Sequence, residues 1–185
     1  GVSERTGRYA EVYRYVSGFS ETFETVRTAY PEGVDPRHAV WAWKRGLDLL
    51  AYVHSTGRAH SNLSPAHLLV HPRDHSVRFA GWSRVGKIGT NGFGDEDARP
   101  YDEGETRNES RDLRALARSV GYLLGGDDLS GIPKSVPEDF RALVFREAKT
   151  EKTSALALHR EVSNLARALY GEPRFVPLRM PGWNI

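Results

Sequence analysis

The chain has 185 residues, 39% hydrophobic and 27% charged, which fits one ordinary globular domain. Its formal net charge of +2 is too small an excess to argue for nucleic acid, even with a sequence pI of 8.9. The absence of cysteine excludes disulfides, thiolate nucleophiles and zinc–thiolate sites, and no apolar run approaches the roughly 20 residues of a membrane span.

The N-terminal stretch 1–8 is polar and lacks a signal-peptide core, so a cytoplasmic protein is expected. Residues 9–16 are rich in aromatic and β-branched side chains with partial alternation and predict a strand, punctuated by Ser17-Gly18. A helix is expected over 20–29, capped by Ser20, with Phe23, Val26 and Tyr30 on one side. Asp35 at an N-cap and Pro36 in the first turn open a long helix. Val40, Trp43, Leu47, Leu50 and Val53 recur in it at helical spacing to about Ser55, and Gly57 follows as a stop. Leu68-Leu69-Val70 and Val77-Arg78-Phe79 predict two short strands joined by a turn over 71–76.

Residues 86–108 carry four glycines before position 95, then the acidic runs Asp95-Glu96-Asp97 and Asp102-Glu103, and predict an extended mobile loop. Three helices follow, over 110–124, 137–148 and 153–170. The first has Leu113, Leu116, Val120, Leu123 and Leu124 on one face, the second Phe140, Leu143, Val144 and Phe145. The third has Leu156, Leu158, Val162, Leu165 and Leu169, capped by Thr153 or Ser154. The tail 171–185 is apolar, with three prolines and Trp183. It either folds back or docks on a partner, and folding back is favoured because a free apolar tail invites aggregation.

The chemistry concentrates in the middle of the chain. Residues 60–67 read His60-Ser61-Asn62-Leu63-Ser64-Pro65-Ala66-His67, and Gly81-Trp82-Ser83 begins fourteen residues after His67. In spacing and apolar framing this resembles the protein kinase catalytic loop, His-Arg-Asp-Leu-Lys-Pro-Glu-Asn, and the metal motif Asp-Phe-Gly. Residues 49–57 are similar to the end of the helix that precedes that loop. Ser110-Arg111-Asp112-Leu113, ending at Leu124-Gly125-Gly126, is similar to the buried central helix of the kinase C-lobe. Glu151-Lys152-Thr153-Ser154-Ala155 stands where the family has Asp-Arg-Pro-Ser-Ala.

The resemblance covers roughly residues 9–170 and implies a mainly α fold, a kinase-like C-lobe built as a helical bundle with a short β-hairpin. No strand precedes Tyr9 that could carry a glycine-rich phosphate loop, the ATP-orienting lysine or its glutamate, so the small N-lobe is expected to be largely absent. The implied organisation is a residual strand and hinge over 1–19, a helical lobe over 20–170 with an activation-segment-like loop at 86–108, and the tail 171–185. The glycine-rich run 86–94 fits neither G-x-G-x-x-G nor G-x-x-x-x-G-K-[ST] and is no phosphate cradle.

The departures from the pattern fall on the charged positions. Asn62 replaces the aspartate that takes the acceptor hydroxyl's proton, and a neutral amide is no base. Ser64 replaces the lysine that would meet negative charge on the transferring phosphoryl group. His67 replaces an asparagine whose side-chain oxygen would hold magnesium, for which imidazole is a poor ligand. Gly81 replaces the principal metal-binding aspartate. The resemblance assigns structural roles to His60, to Asp112 as the carboxylate that accepts from the loop backbone, and to Trp82, expected under the long helix. Ala98-Arg99-Pro100 is at best a vestige of Ala-Pro-Glu, and Lys152 stands where an arginine would pair with that glutamate.

The expected function is therefore a catalytically inactive pseudokinase domain serving as a protein-interaction scaffold or regulatory module within a larger protein. No cofactor, metal or nucleic acid is expected, and Tyr13, Tyr15, Phe19, Phe175 and Trp183 are the candidate partner contacts. The alternative is an atypical active phosphotransferase, since His60-x-Asn62 with His67 also matches the frame of aminoglycoside- and choline-type kinases. Asp74 is the nearest carboxylate upstream of Gly81, but it falls in the predicted turn. His67, His71 and His75, spaced by four, would form a metal face on a helix, and Pro72 argues for a hairpin instead. A nucleic-acid-binding helical domain would need a basic stripe, and the basic residues look scattered.

Overall fold

The computed structural model describes residues 14–91, 106–127, 129–151 and 154–181. Its elements in chain order are β1 (Glu21–Thr22), α1 (Phe23–Ala29), α2 (Pro36–Ser55), β2 (Arg58–Ala59), β3 (Leu68–His71), β4 (Ser76–Phe79), β5 (Gly86–Lys87), α3 (Glu109–Leu123), α4 (Glu138–Glu147) and α5 (Ala155–Tyr170). Single 3-10 turns at Pro65–His67 and Trp82–Arg84 flank the candidate site.

Most helix ends follow from their capping residues. The Asp35 side chain accepts from Arg37 N at 2.9 Å, with Pro36 in the first turn, and α2 starts there. Asn108 caps α3 by accepting from Arg111 N at 2.8 Å, and Ser154 caps α5 by accepting from Ala157 N at 3.2 Å. For α1 the cap is Thr22 instead of the expected Ser20. Thr22 and Thr25 exchange side-chain-to-backbone bonds in a capping box, and β1 occupies the residues just before.

The core gathers around α3, most of whose residues are buried, including Leu113, Leu116 and Val120. Helix α2 lies against it with Trp43, Leu47 and Leu50 fully buried. Gly46 permits this approach, because a Cβ there would lie 2.8 Å from Leu116 Cδ1. Phe140 of α4 reaches the Trp43 ring at 6.1 Å between centroids, and α5 covers α2 with Leu158 and Val162.

The hairpin β3–β4, where two short strands are expected, pairs Leu68 with Phe79 and Val70 with Val77, and β1 adds to its β3 edge in antiparallel sense. A second antiparallel pair, β2 with β5, has no counterpart in the sequence reading. Each strand is two residues long, and strands so short carry no legible alternation. The pair matters because it ties the residues just before His60 to those just after Arg84. Residues 14–16, the end of the strand expected over 9–16, are not in a strand, and the rest of that stretch lies outside the described residues, as does most of the loop expected over 86–108.

The tail folds back. Leu178 and Met180 are buried in the core, the Tyr30 hydroxyl donates to the Arg179 carbonyl, and His75 Nε2 donates to the Val176 carbonyl at 2.7 Å. Trp183 lies outside the described residues. Among the described residues no helix is long and apolar enough to cross a membrane.

Three histidines sit on or beside α2. Burial lowers His38, His75 and His159 from the ordinary value of 6.5, against the raising effects of Asp35, the Val176 carbonyl and Asp48 respectively. A lowered folded-state value means that the unfolded chain binds more protons at acid pH. Stability is thus full above pH 6.5 and declines as pH falls below it. The urea midpoint should drop between pH 7.5 and 5.5, and His38→Gln should flatten that slope; a midpoint constant over this range would contradict the burial of these rings.

Candidate functional site

The site is a loop held by one carboxylate. Asp112, in the first turn of α3 and 1% exposed, accepts from His60 N at 2.7 Å and from His54 Nε2 at 3.0 Å through Oδ2. Its Oδ1 accepts from Ser61 N at 2.8 Å. These bonds hold Ser61 at φ +58, a left-handed conformation that costs a non-glycine residue roughly 1–2 kcal/mol. Asp112 thus accepts from two consecutive backbone N–H groups of the loop. His54 completes the cluster, and sequence reasoning gave it no role; the signal was its place in the last turn of α2, seven residues before Ser61.

The four positions singled out by the motif come together. Asn62 Nδ2 donates to the Gly81 carbonyl at 2.8 Å. His67 Nδ1 lies 2.6 Å from the Asn62 carbonyl, to which it donates, and 3.2 Å from Ser64 Oγ. The ring therefore closes a turn within its own loop.

Gly81 stands in the left-handed region at φ 74 and ψ 40. A Cβ there would lie 2.9 Å from Asn62 Nδ2 and 2.9 Å from two carbons of the His67 ring. The amide and the imidazole thus occupy the space into which a side chain at position 81 would extend. A divalent ion finds poor donors in this arrangement: one amide oxygen and one hydroxyl, a ring whose Nδ1 is committed to a backbone oxygen, a glycine, and no carboxylate among the four. The four residues do not fit a magnesium ion.

The other histidines do not extend the set. His71 accepts from Asp74 N at 3.1 Å and packs edge-on to Phe19, while His75 stacks on Trp41. Strand β3 and its turn send them to different surroundings, and among the described residues no three His, Asp or Glu side chains converge as metal ligands. Asp74 faces His71 at 3.4 Å and is two-thirds exposed, away from Asn62 and Gly81 in its contacts.

His60 is fully buried, with its ring 4.5 Å from Trp82 and 5.4 Å from Phe79. Trp82 donates from Nε1 to the Phe79 carbonyl at 2.8 Å. Together with Tyr52 and Val53 of α2 and with Phe19 it lines a groove of about 840 Å³ beside the loop. Arg78 crosses this groove, its guanidinium 4.6 Å from the centre of the Phe19 ring. Tyr15 is 70% exposed, and Tyr13 lies outside the described residues. Phe175 belongs elsewhere, stacked on His75 at 4.3 Å.

No family model matches the chain, and no curated protein matches it. Solved structures do, 289 chains in all. One is the kinase domain of ROP18 in complex with AMP-PNP and sucrose, similar at a TM-score of 0.58 and 14% sequence identity. The match covers 80% of this chain and 50% of that one, so the chain spans half the length of that domain. The fold is protein kinase-like.

The geometry makes two testable statements. Asp112→Ala leaves buried donors without an acceptor, at about 1–3 kcal/mol each. Urea denaturation should show a loss of at least about 3 kcal/mol, with Asp112→Asn losing less because one acceptor oxygen stays. Gly81→Ala should cost roughly 1–3 kcal/mol through backbone strain and the collision. That cost should shrink in a His67→Ala background, and equal costs in both backgrounds would refute the coupling.

Proposed function

We propose that this chain is the C-lobe portion of a pseudokinase, which binds other proteins and transfers no phosphate. The observation that supports it most directly is the packing of the His67 ring and the Asn62 amide into the space beside Gly81. A carboxylate cannot occupy that position without displacing both. The cleft has lost not only its metal-binding side chain but also the room for one.

The remaining chemistry argues the same way. Asn62 offers no lone pair able to take an alcohol's proton at neutral pH, and loss of a general base costs on the order of 10²- to 10⁴-fold. Ser64 brings no positive charge to a developing phosphoryl anion. Asp112, the carboxylate nearest in the loop's frame, is committed to two backbone N–H groups and His54. What survives is the device that holds the loop's shape.

A scaffold role draws support from the groove beside Trp82. Phe19, Tyr52, Val53 and Phe79 give it an apolar lining, and Tyr52 is 72% exposed. Apolar surface of this kind, with Arg58 and Arg78 also in its lining, suits contact with another protein or another lobe.

Incubation with radiolabelled ATP and magnesium or manganese should give transfer no higher than background, and no less with Asn62→Ala than with the native chain. Magnesium-ATP should leave the melting temperature unchanged. Transfer that disappears on Asn62→Ala substitution would show the loop to be catalytic and end the proposal.

A further inference from the structure

A separate groove of about 560 Å³ runs between α2, α5 and the returning tail, and no residue of the loop 60–67 lines it. Lys44 and Arg45 enter it from α2, Arg167 from α5, and Arg174 from the tail. Its carboxylates are Asp48 and Glu172. Asp48 is shared between Arg45 at 3.5 Å and His159 at 3.6 Å, and Glu172 meets Arg167 at 3.3 Å. Arg37, at the groove's edge, is held by Asp35 at 2.6 Å. Lys44 and Arg174 have no carboxylate partner among the described residues. The groove therefore carries positive charge that its own acids do not balance.

It is also aromatic. Trp41, His75 and Phe175 form a continuous stack, with centroids 4.3 Å apart at each step and interplanar angles of 7° and 25°. His75 is fixed in the middle by its bond to Val176. Phe175, at the end of the stack, is 62% exposed and offers a ring face to an incoming group.

We propose that this groove is the docking site for an acidic peptide segment of a partner protein, its carboxylates meeting Lys44 and Arg174 and an apolar side chain resting on Phe175. The complementarity of charge selects the occupant. The spare cations come from two elements, α2 and the returning tail, which suits a chain bearing more than one carboxylate. They are too few to follow a nucleic-acid backbone, whose binding relies on many phosphate contacts. The inference gives the interaction module a partner chemistry and rests on the preceding section in that respect alone; the inertness of the cleft does not enter.

Fluorescence anisotropy with a labelled peptide of aspartates and glutamates flanking one Phe-Leu pair tests it. Saturable binding is expected, weakened about tenfold or more by Lys44→Glu with Arg174→Glu, and weakened by Phe175→Ala. A lysine-substituted peptide should not bind. These residues are at the surface, and melting curves of the variants establish that they fold. Binding unaffected by the double reversal, or matched by a single-stranded oligonucleotide of equal charge, would overturn the proposal. Loss of peptide binding with phosphate transfer at background refutes the groove alone, whereas transfer above background with peptide binding intact refutes the inert cleft alone.

Discussion

The carboxylate of Asp112 fixes the candidate site. It lies 1% exposed at the start of the most buried helix and accepts from two consecutive backbone N–H groups, His60 and Ser61, while holding His54. Buried backbone donors without acceptors are costly, so the loop's path and the helix's position become one constraint. The left-handed turn at Ser61 persists because this constraint outweighs its local strain. The β2–β5 pair closes the frame from the other side.

Within that frame the loop residues pack and bond against one another. The His67 ring turns back to the Asn62 carbonyl, the Asn62 amide turns to the Gly81 carbonyl, and Gly81 leaves the space that both need. The Asn62 amide nitrogen and His67 Nδ1 are each bonded to a backbone carbonyl. These bonds, with those to Asp112, hold the shape of the loop within a kinase-like fold. The surface also carries two grooves, an apolar one beside Trp82 and a cationic, aromatic one between α2 and α5.

Much of this was legible in the residues. The helices over 36–55 and 110–124, the hairpin, and the caps Asp35 and Ser154 lie where periodicity and capping chemistry place them. The tail's return was legible from its apolar content. The cap of α1 was misplaced by two residues, because Ser20 and Thr22 are both good caps and only the reciprocal bond with Thr25 selects between them. The basic residues looked scattered because they are far apart in the chain. Lys44 and Arg45 lie on α2 and Arg167 on α5, and the packing of those helices gathers them, although 37, 41, 44, 45 and 48 already share a helical face in the sequence.

The sequence by itself determined the long helices, the β3–β4 hairpin and the residue types of the loop motif, because these depend on side-chain identity and on spacings within a few turns. Tertiary structure alone decided that His67 fills the space beside Gly81, that His54 joins Asp112, and that two-residue strands clamp the loop. Those are contacts between segments distant in sequence. Their existence depends on how buried helices and backbone hydrogen bonds settle together, and no local pattern records that.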